Sequence, residues 1–239
     1  MPADDPILTW LDDRAQHELP VRLINAYRGI PIASSAKVLS LNQGSAILSV
    51  NEYQTVCMKL DGKTRIRYSQ PSEVLRARVI SVNVPKKEAV LTEFTKAAGS
   101  LGKRLCTRVQ PTQPIDAEMR LGDLLIPCQL VDISLNGVGV ILLGTFAYGD
   151  LDLRKGLRNQ LHFTIPPAHR PVQLAGQITN IVTSADTNQH RLGCKTFPES
   201  SIELLLLDYV ALRRDELMRE LSVIYSTMRR EQLKVAPFL

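Results

Sequence analysis

The feature that most constrains this chain is a change of period near Pro198. Between Val21 and Phe197 apolar and polar residues alternate in short runs; beyond Pro198 the apolar residues fall three and four apart. Alternation sends successive side chains to opposite faces of a strand, whereas three-four spacing builds one stripe of a helix. The chain therefore reads as all-β, closed by one long carboxy-terminal helix.

The alternating tract splits in two. Runs at 21–24, 36–39, 45–50, 56–60, 64–68 and 75–82 are punctuated by Gly29, Gly44, Asp61-Gly62, Pro71 and Pro85-Lys86-Lys87. Runs at 113–119, 124–133, 138–143, 160–165, 172–182 and 189–197 are punctuated by Gly122-Asp123, Gly149-Asp150 and Pro166-Pro167. Short strands with regular turn signals predict two small antiparallel β-barrels, since closure leaves no long exposed edge. A short helix is expected over 4–18, ending before Pro20. After Pro198, Leu207, Val210, Leu217, Leu221, Ile224 and Met228 form a seam with Arg214 in its remaining place, predicting a helix over 201–232. At about 1.5 Å per residue that helix exceeds what capping a small barrel needs. Its distal half is expected to pack on another subunit or on the amino-terminal module, so a homo-oligomer through this helix is expected. The division is 1–96 for the first barrel, 97–103 for a hinge, 104–198 for the second barrel and 199–239 for the helix.

Composition narrows function. The 239 residues are 44% hydrophobic, enough for substantial cores, and no apolar run approaches the roughly 18 residues of a spanning helix. With an acidic rather than signal-like amino terminus, a cytoplasmic protein without membrane insertion is expected. Cys57, Cys106, Cys128 and Cys194 are scattered without a CxxC pair and read as buried or idle thiols. His162, His169 and His190 have neither metal-ligand spacing nor a neighbouring nucleophile. With no paired carboxylates beside a histidine, no Walker loop and no triad, neither an enzyme nor a cofactor is expected. The net charge of +5 favours anionic partners, but only 5% of residues are aromatic and they do not interleave with the basic ones. A small phosphorylated ligand is favoured over polynucleotide. A nucleic-acid-binding protein with two OB-like barrels is the rival reading.

Two strings carry the candidate chemistry. Arg104 and Arg108 stand four apart behind 96–102, with Lys103 beside them. Their guanidiniums are planar forks for phosphate or a guanine edge, the latter worth roughly 1–3 kcal/mol over a wrong base. Asp132 and Ser134 share one face of a strand, where the carboxylate can accept from guanine N1 and N2 and the hydroxyl can donate to phosphate. Gly137 permits a tight turn and close backbone approach.

In this order the strings resemble a known family. Arg104-Leu105-Cys106-Thr107-Arg108 matches an RxxxR motif and Asp132-Ile133-Ser134-Leu135-Asn136-Gly137 a DxSxxG motif, while 191–197 is similar to the strand that ends the barrel of PilZ domains. The resemblance implies a receptor for cyclic di-GMP, with Arg104, Arg108, Asp132, Ser134, Gly137 and Lys103 as ligand-binding residues. It implies a degenerate PilZ-like or flagellar-brake-type barrel at the amino terminus and an effector that acts on an unnamed protein in motility, biofilm or exopolysaccharide control. Relatives that hold two stacked ligands often carry arginine where this chain has Lys103, so one or two ligands per site stays open. A faint internal repeat supports paired modules: superposing Ser40 on Ser134 puts Val38 at the place of Asp132 and Gln43 at that of Gly137.

Overall fold

The computed structural model of the chain describes residues 5–68, 73–97, 106–144, 153–167, 169–184 and 189–235. It divides into two compact units, one of Met1–Tyr27, Pro31–Leu105 and Leu217–Leu239, the other of Arg28–Ile30 and Cys106–Glu216.

In the first unit α1 (Pro6–Gln16) begins at Asp5, whose carboxylate accepts the Ile7 amide, with Pro6 in the first turn. It lies within the expected 4–18. β1 (Val21–Tyr27), β2 (Ile30–Asn42), β3 (Ser45–Ser49), β4 (Lys63–Arg67), β5 (Val74–Asn83) and β6 (Glu88–Lys96) close a barrel in the order β1-β2-β3-β6-β5-β4. Alternation puts Leu23, Leu48, Ile66, Leu75 and Leu91 inside, all fully buried.

One expected strand is a helix. Residues 56–60 belong to α2 (Glu52–Asp61), which Asn51 caps by accepting the Gln54 amide at 2.8 Å and Gly62 ends with φ 64°. A short apolar run such as Val56-Cys57-Met58 fits a buried strand or a buried helical turn equally, and these caps decide for the helix. The sixth barrel strand comes instead from β6, a segment not singled out above.

In the second unit β8 (Ile115–Leu121), β9 (Leu124–Ser134), β10 (Gly137–Leu142), β11 (Arg158–Ile165), β12 (Arg170–Thr183) and β13 (His190–Thr196) close a barrel in the order β10-β13-β12-β11-β8-β9 through the β9–β10 pairing. The two-residue β7 (Arg108–Val109) adds to β9. Each of the six expected strands overlaps one of these. The expected punctuation at Pro71 and at Gly149-Asp150 lies outside the described residues.

The two barrels share one strand order, since numbering the second from β8 to β13 reproduces the first. Register makes the correspondence residue by residue. Asn42 faces Ser45 and Ser40 faces Ile47 across β2–β3, as Ser134 faces Gly137 and Asp132 faces Gly139 across β9–β10. Leu39 and Val131 are bulged out at the same step, and Ile80 and Thr179 form a second matching bulge. The superposition on serines is thus two residues out of register: Ser40, not Val38, occupies the place of Asp132, and Ser45, not Gln43, that of Gly137. Ladder pairing and bulges fix equivalence more tightly than a shared Ser-Leu-Asn string.

α3 (Ser200–Val235) follows. Its buried stripe is Leu206, Tyr209, Arg213, Leu217, Leu221 and Tyr225. The seam read from sequence shares only Leu217 and Leu221 with it; Leu207 is 51% exposed, and Arg214 is exposed while Arg213 is buried. The shift comes from a charged side chain inside the stripe. Arg213 gives Nε–H to the Gln110 carbonyl at 2.9 Å and pairs with Glu216 at 2.8 Å, so a position that looks polar in sequence faces inward. Farther on, within the first unit, Tyr27 donates to Glu220 and the Gln232 amide accepts from Val84 N–H and donates to the Val82 carbonyl. In urea unfolding Leu221→Ala will cost about 2–5 kcal/mol, whereas Leu207→Ala will stay within about 0.5 kcal/mol; equal losses would contradict this stripe.

Candidate ligand-binding site

The site is built on the β9–β10 hairpin. Across β9 the bulge at Val131 resets the alternation, turning Ile133 into the core and leaving Asp132 and Ser134 together on the opposite face. β7 lies along β9 with Arg108 opposite Ser134 and Val109 opposite Ile133. The Arg28–Ile30 turn, part of the same unit, holds that short strand: Gln110 N–H donates to the Arg28 carbonyl at 3.0 Å. Gly29, at φ 92°, sits where a Cβ would come within 2.8 Å of the Arg108 carbonyl.

Asp132 is the centre. Its Oδ1 accepts from Arg108 Nη1 at 3.0 Å and its Oδ2 from Arg191 Nη2 at 3.1 Å, so one carboxylate bridges two guanidiniums. The Asp132 side chain is only 11% exposed, that of Arg108 28% and that of Arg191 52%. Ions so placed are shielded from solvent on the aspartate side and open to an incoming anion on the arginine side.

The floor beneath Asp132 is bare backbone. Gly139 lies opposite Asp132 and Gly193 opposite Gly139, making a glycine row across β10 and β13. A Cβ on Gly139 would collide with the Asp132 carboxylate, whose Cγ stands 2.7 Å from that position. Gly137 answers a different need: its φ is not left-handed, but a Cβ would approach the Cys194 carbonyl to 2.8 Å, so it lets β13 close on the hairpin. Ser134 Oγ donates to the Gly137 carbonyl at 2.8 Å and clasps the turn. The Cys106 thiol donates to Asn136 Oδ1, tying the residue before Thr107-Arg108 to the same turn.

The structure thus brings Arg108, Asp132, Ser134 and Gly137 together. Lys103 and Arg104 lie outside the described residues. Arg191, Gly139 and Gly193 are members of the constellation that sequence reasoning missed. The signal was present in the string Arg191-Leu192-Gly193, but only strand register shows that it runs beside Asp132. The equivalent positions of the first barrel carry Ser40 for Asp132, Asn42 for Ser134, Ile47 for Gly139 and Glu88 for Arg191. That hairpin has no carboxylate, and an isoleucine stands where the floor is bare.

The model for the PilZ domain matches residues 103–212, which take in the whole hairpin, β7 and Arg191. Those residues form a PilZ domain. No curated protein matches the sequence. Among solved structures the chain is similar to Bacillus subtilis inhibitor of motility MotI/DgrA, at 13% identity over 82% of this chain and 96% of that one with a TM-score of 0.44. It is similar also to YcgR from Escherichia coli in complex with c-di-GMP, at 15% identity over 91% and 93% with a TM-score of 0.44. A third likeness is to the K. pneumonia MrkH–c-di-GMP complex, at 10% identity over 90% and 95% with a TM-score of 0.46.

Elsewhere in the PilZ unit a concavity of about 1120 Å³ opens among Asp116, Glu118, Gln160, His162, Phe163 and Phe197, and none of the site residues lines it. Among the described residues no His, Cys, Asp or Glu cluster has a metal-holding arrangement, and no helix is long and apolar enough to cross a membrane. Burial pushes the Cys57, Cys128 and Cys194 thiols up to about 12. Cys106 is half-buried where the other three are buried, so it is the thiol a reagent can reach. Labelling of the native protein with a thiol-disulfide reagent near pH 8 will modify Cys106 first and the other three only on unfolding; fast modification of Cys194 would contradict this packing. Gly139→Ala will displace the Asp132 carboxylate and lower stability by about 1–3 kcal/mol, read in urea unfolding; an unchanged midpoint would show that the floor has room to spare.

Proposed function

We propose that the PilZ barrel of this chain is a receptor for cyclic di-GMP, and that the protein is an effector that breaks no bond. The observation that carries the reading is the Asp132 carboxylate held between Arg108 and Arg191 over the Gly139–Gly193 floor. A carboxylate oxygen has two acceptor sites, so Asp132 can take the N1–H and N2–H of a guanine while keeping its arginines. Arg108 spends one guanidinium nitrogen on Asp132 and has others for guanine O6 and N7. The glycine row lets a planar base lie against the strands where any side chain would prop it away. The two cyclic phosphates then fall to Arg104 and Lys103 in the segment that precedes β7, and to Ser134 once its hydroxyl turns away from the Gly137 carbonyl.

That assignment gives the messenger a mechanical consequence. Lys103 and Arg104 close the stretch that joins the two barrels in sequence, so drawing them onto the ligand changes the orientation of one barrel relative to the other. The altered surface is what a downstream protein reads. The first barrel, with Ser40 at the place of Asp132 and Ile47 at that of Gly139, takes no dinucleotide of its own.

Calorimetry tests the assignment. Charge-assisted bonds are worth about 1.5–3 kcal/mol each, so Arg108→Ala will weaken cyclic di-GMP binding by about tenfold or more, while Ser40→Ala in the first barrel leaves it unchanged. Equal affinity for wild type and Arg108→Ala would sink the reading.

A further inference from the structure

The first barrel carries an outer face whose charge the dinucleotide reading leaves unused. β1, β4 and β5 are neighbours and contain six basic residues, Arg22, Lys63, Arg65, Arg67, Arg76 and Arg78, with no aspartate or glutamate. All six point outward and are exposed. Register sets like charges directly against one another: Arg22 opposite Arg67, Arg65 opposite Arg76 and Lys63 opposite Arg78. Cross-strand pairs of like charge destabilise a sheet, and folding alone gives no reason to stack three of them. Among the described residues Arg78 pairs with Glu93 at 2.7 Å, while Arg22, Arg65, Arg67 and Arg76 have no carboxylate in ion-pairing reach.

We propose that this face docks the phosphate backbone of a nucleic-acid duplex. The choice among anionic partners rests on what surrounds the charges. Protein interfaces place an apolar, charge-depleted patch at their centre, whereas the centre here is Arg65, opposite Arg76 on β5 and the half-buried Ile24 on β1, with the Arg22–Arg67 pair beside it. A membrane-binding face needs a cluster of large apolar side chains to enter the acyl boundary; here Ile24 is half-buried and Ile80, 60% exposed at a bulge of β5, stands among arginines without a second large exposed apolar residue on these three strands. A single strand needs a stacking platform, and Tyr27, the aromatic residue of these strands, gives its hydroxyl to Glu220. A curved sheet surface studded with arginine forks, whose aromatic residue is already engaged, fits the outside of a double helix, where phosphates alone are met. Binding of this kind is independent of sequence and of cyclic di-GMP. It departs from the expectation drawn from composition, which counted basic residues without knowing that β-pairing gathers them on one face.

The test is fluorescence anisotropy of the full chain with short labelled duplexes of DNA and of RNA, between about 50 and 200 mM salt. The wild type will bind at least one duplex with an affinity that falls steeply with salt. Arg65→Glu will lower that affinity by about tenfold or more and reduce the magnitude of the log–log salt slope by about one, with the melting temperature kept or raised because the introduced carboxylate faces Arg76. Arg120→Glu, the same change of net charge on the second barrel, will have a smaller effect. Absence of duplex binding at low salt, an Arg65→Glu variant that binds as wild type, or capture of anionic vesicles without capture of duplex would each overturn the proposal.

Discussion

The second barrel is organised around one carboxylate. Asp132 has to be on the face opposite Ile133, and the bulge at Val131 puts it there. It has to lie flat on the neighbouring strand, and Gly139 makes the room. It has to be neutralised where it is nearly buried, and Arg108 and Arg191 approach from two different strands to do so. β7, with only two residues, has its place in the sheet through pairing with β9 and the turn at Arg28–Ile30, and its product is the position of Arg108. Remove the carboxylate and two guanidiniums face each other over bare backbone.

The first barrel shows the same scaffold without that demand. Its strand order and its bulges at Leu39 and Ile80 coincide with those of the second, so the backbone device that re-aims a side chain at the hairpin is present in both. At the decisive places it carries Ser40, Asn42, Ile47 and Glu88. The fold therefore supplies the geometry, and the residues at these four places, together with Arg108, set what the hairpin can bind. Without that carboxylate, the first barrel presents on its outer strands the basic face described above.

Much of this was legible in the residue order. Of twelve strands expected from alternation, eleven overlap observed strands; residues 56–60 do not, because a capped helical turn and a buried strand share the same apolar run, and β6 was not singled out. RxxxR and DxSxxG pointed to Arg108 and Asp132 because both motifs are local. Arg191 was not legible as a partner of Asp132, since 59 residues separate them and only sheet register brings them together. The repeat was visible but its alignment was not: a Ser-Leu-Asn string occurs in both hairpins at positions two residues apart in the ladder. The helix seam failed for a related reason. Arg213 is buried through a carbonyl contributed by Gln110, and no periodicity rule assigns an arginine to the inside.

Discrimination between cyclic di-GMP and cyclic di-AMP is the most direct measurement of the central claim, that Asp132 reads guanine from between its two arginines. Guanine offers N1–H and N2–H donors to a carboxylate, whereas adenine presents an acceptor and a C–H at the same edge. Calorimetric titration of the full chain with each dinucleotide should give saturable binding of cyclic di-GMP and none of cyclic di-AMP at matched concentrations. Equal binding of the two, or binding of neither, would contradict the account.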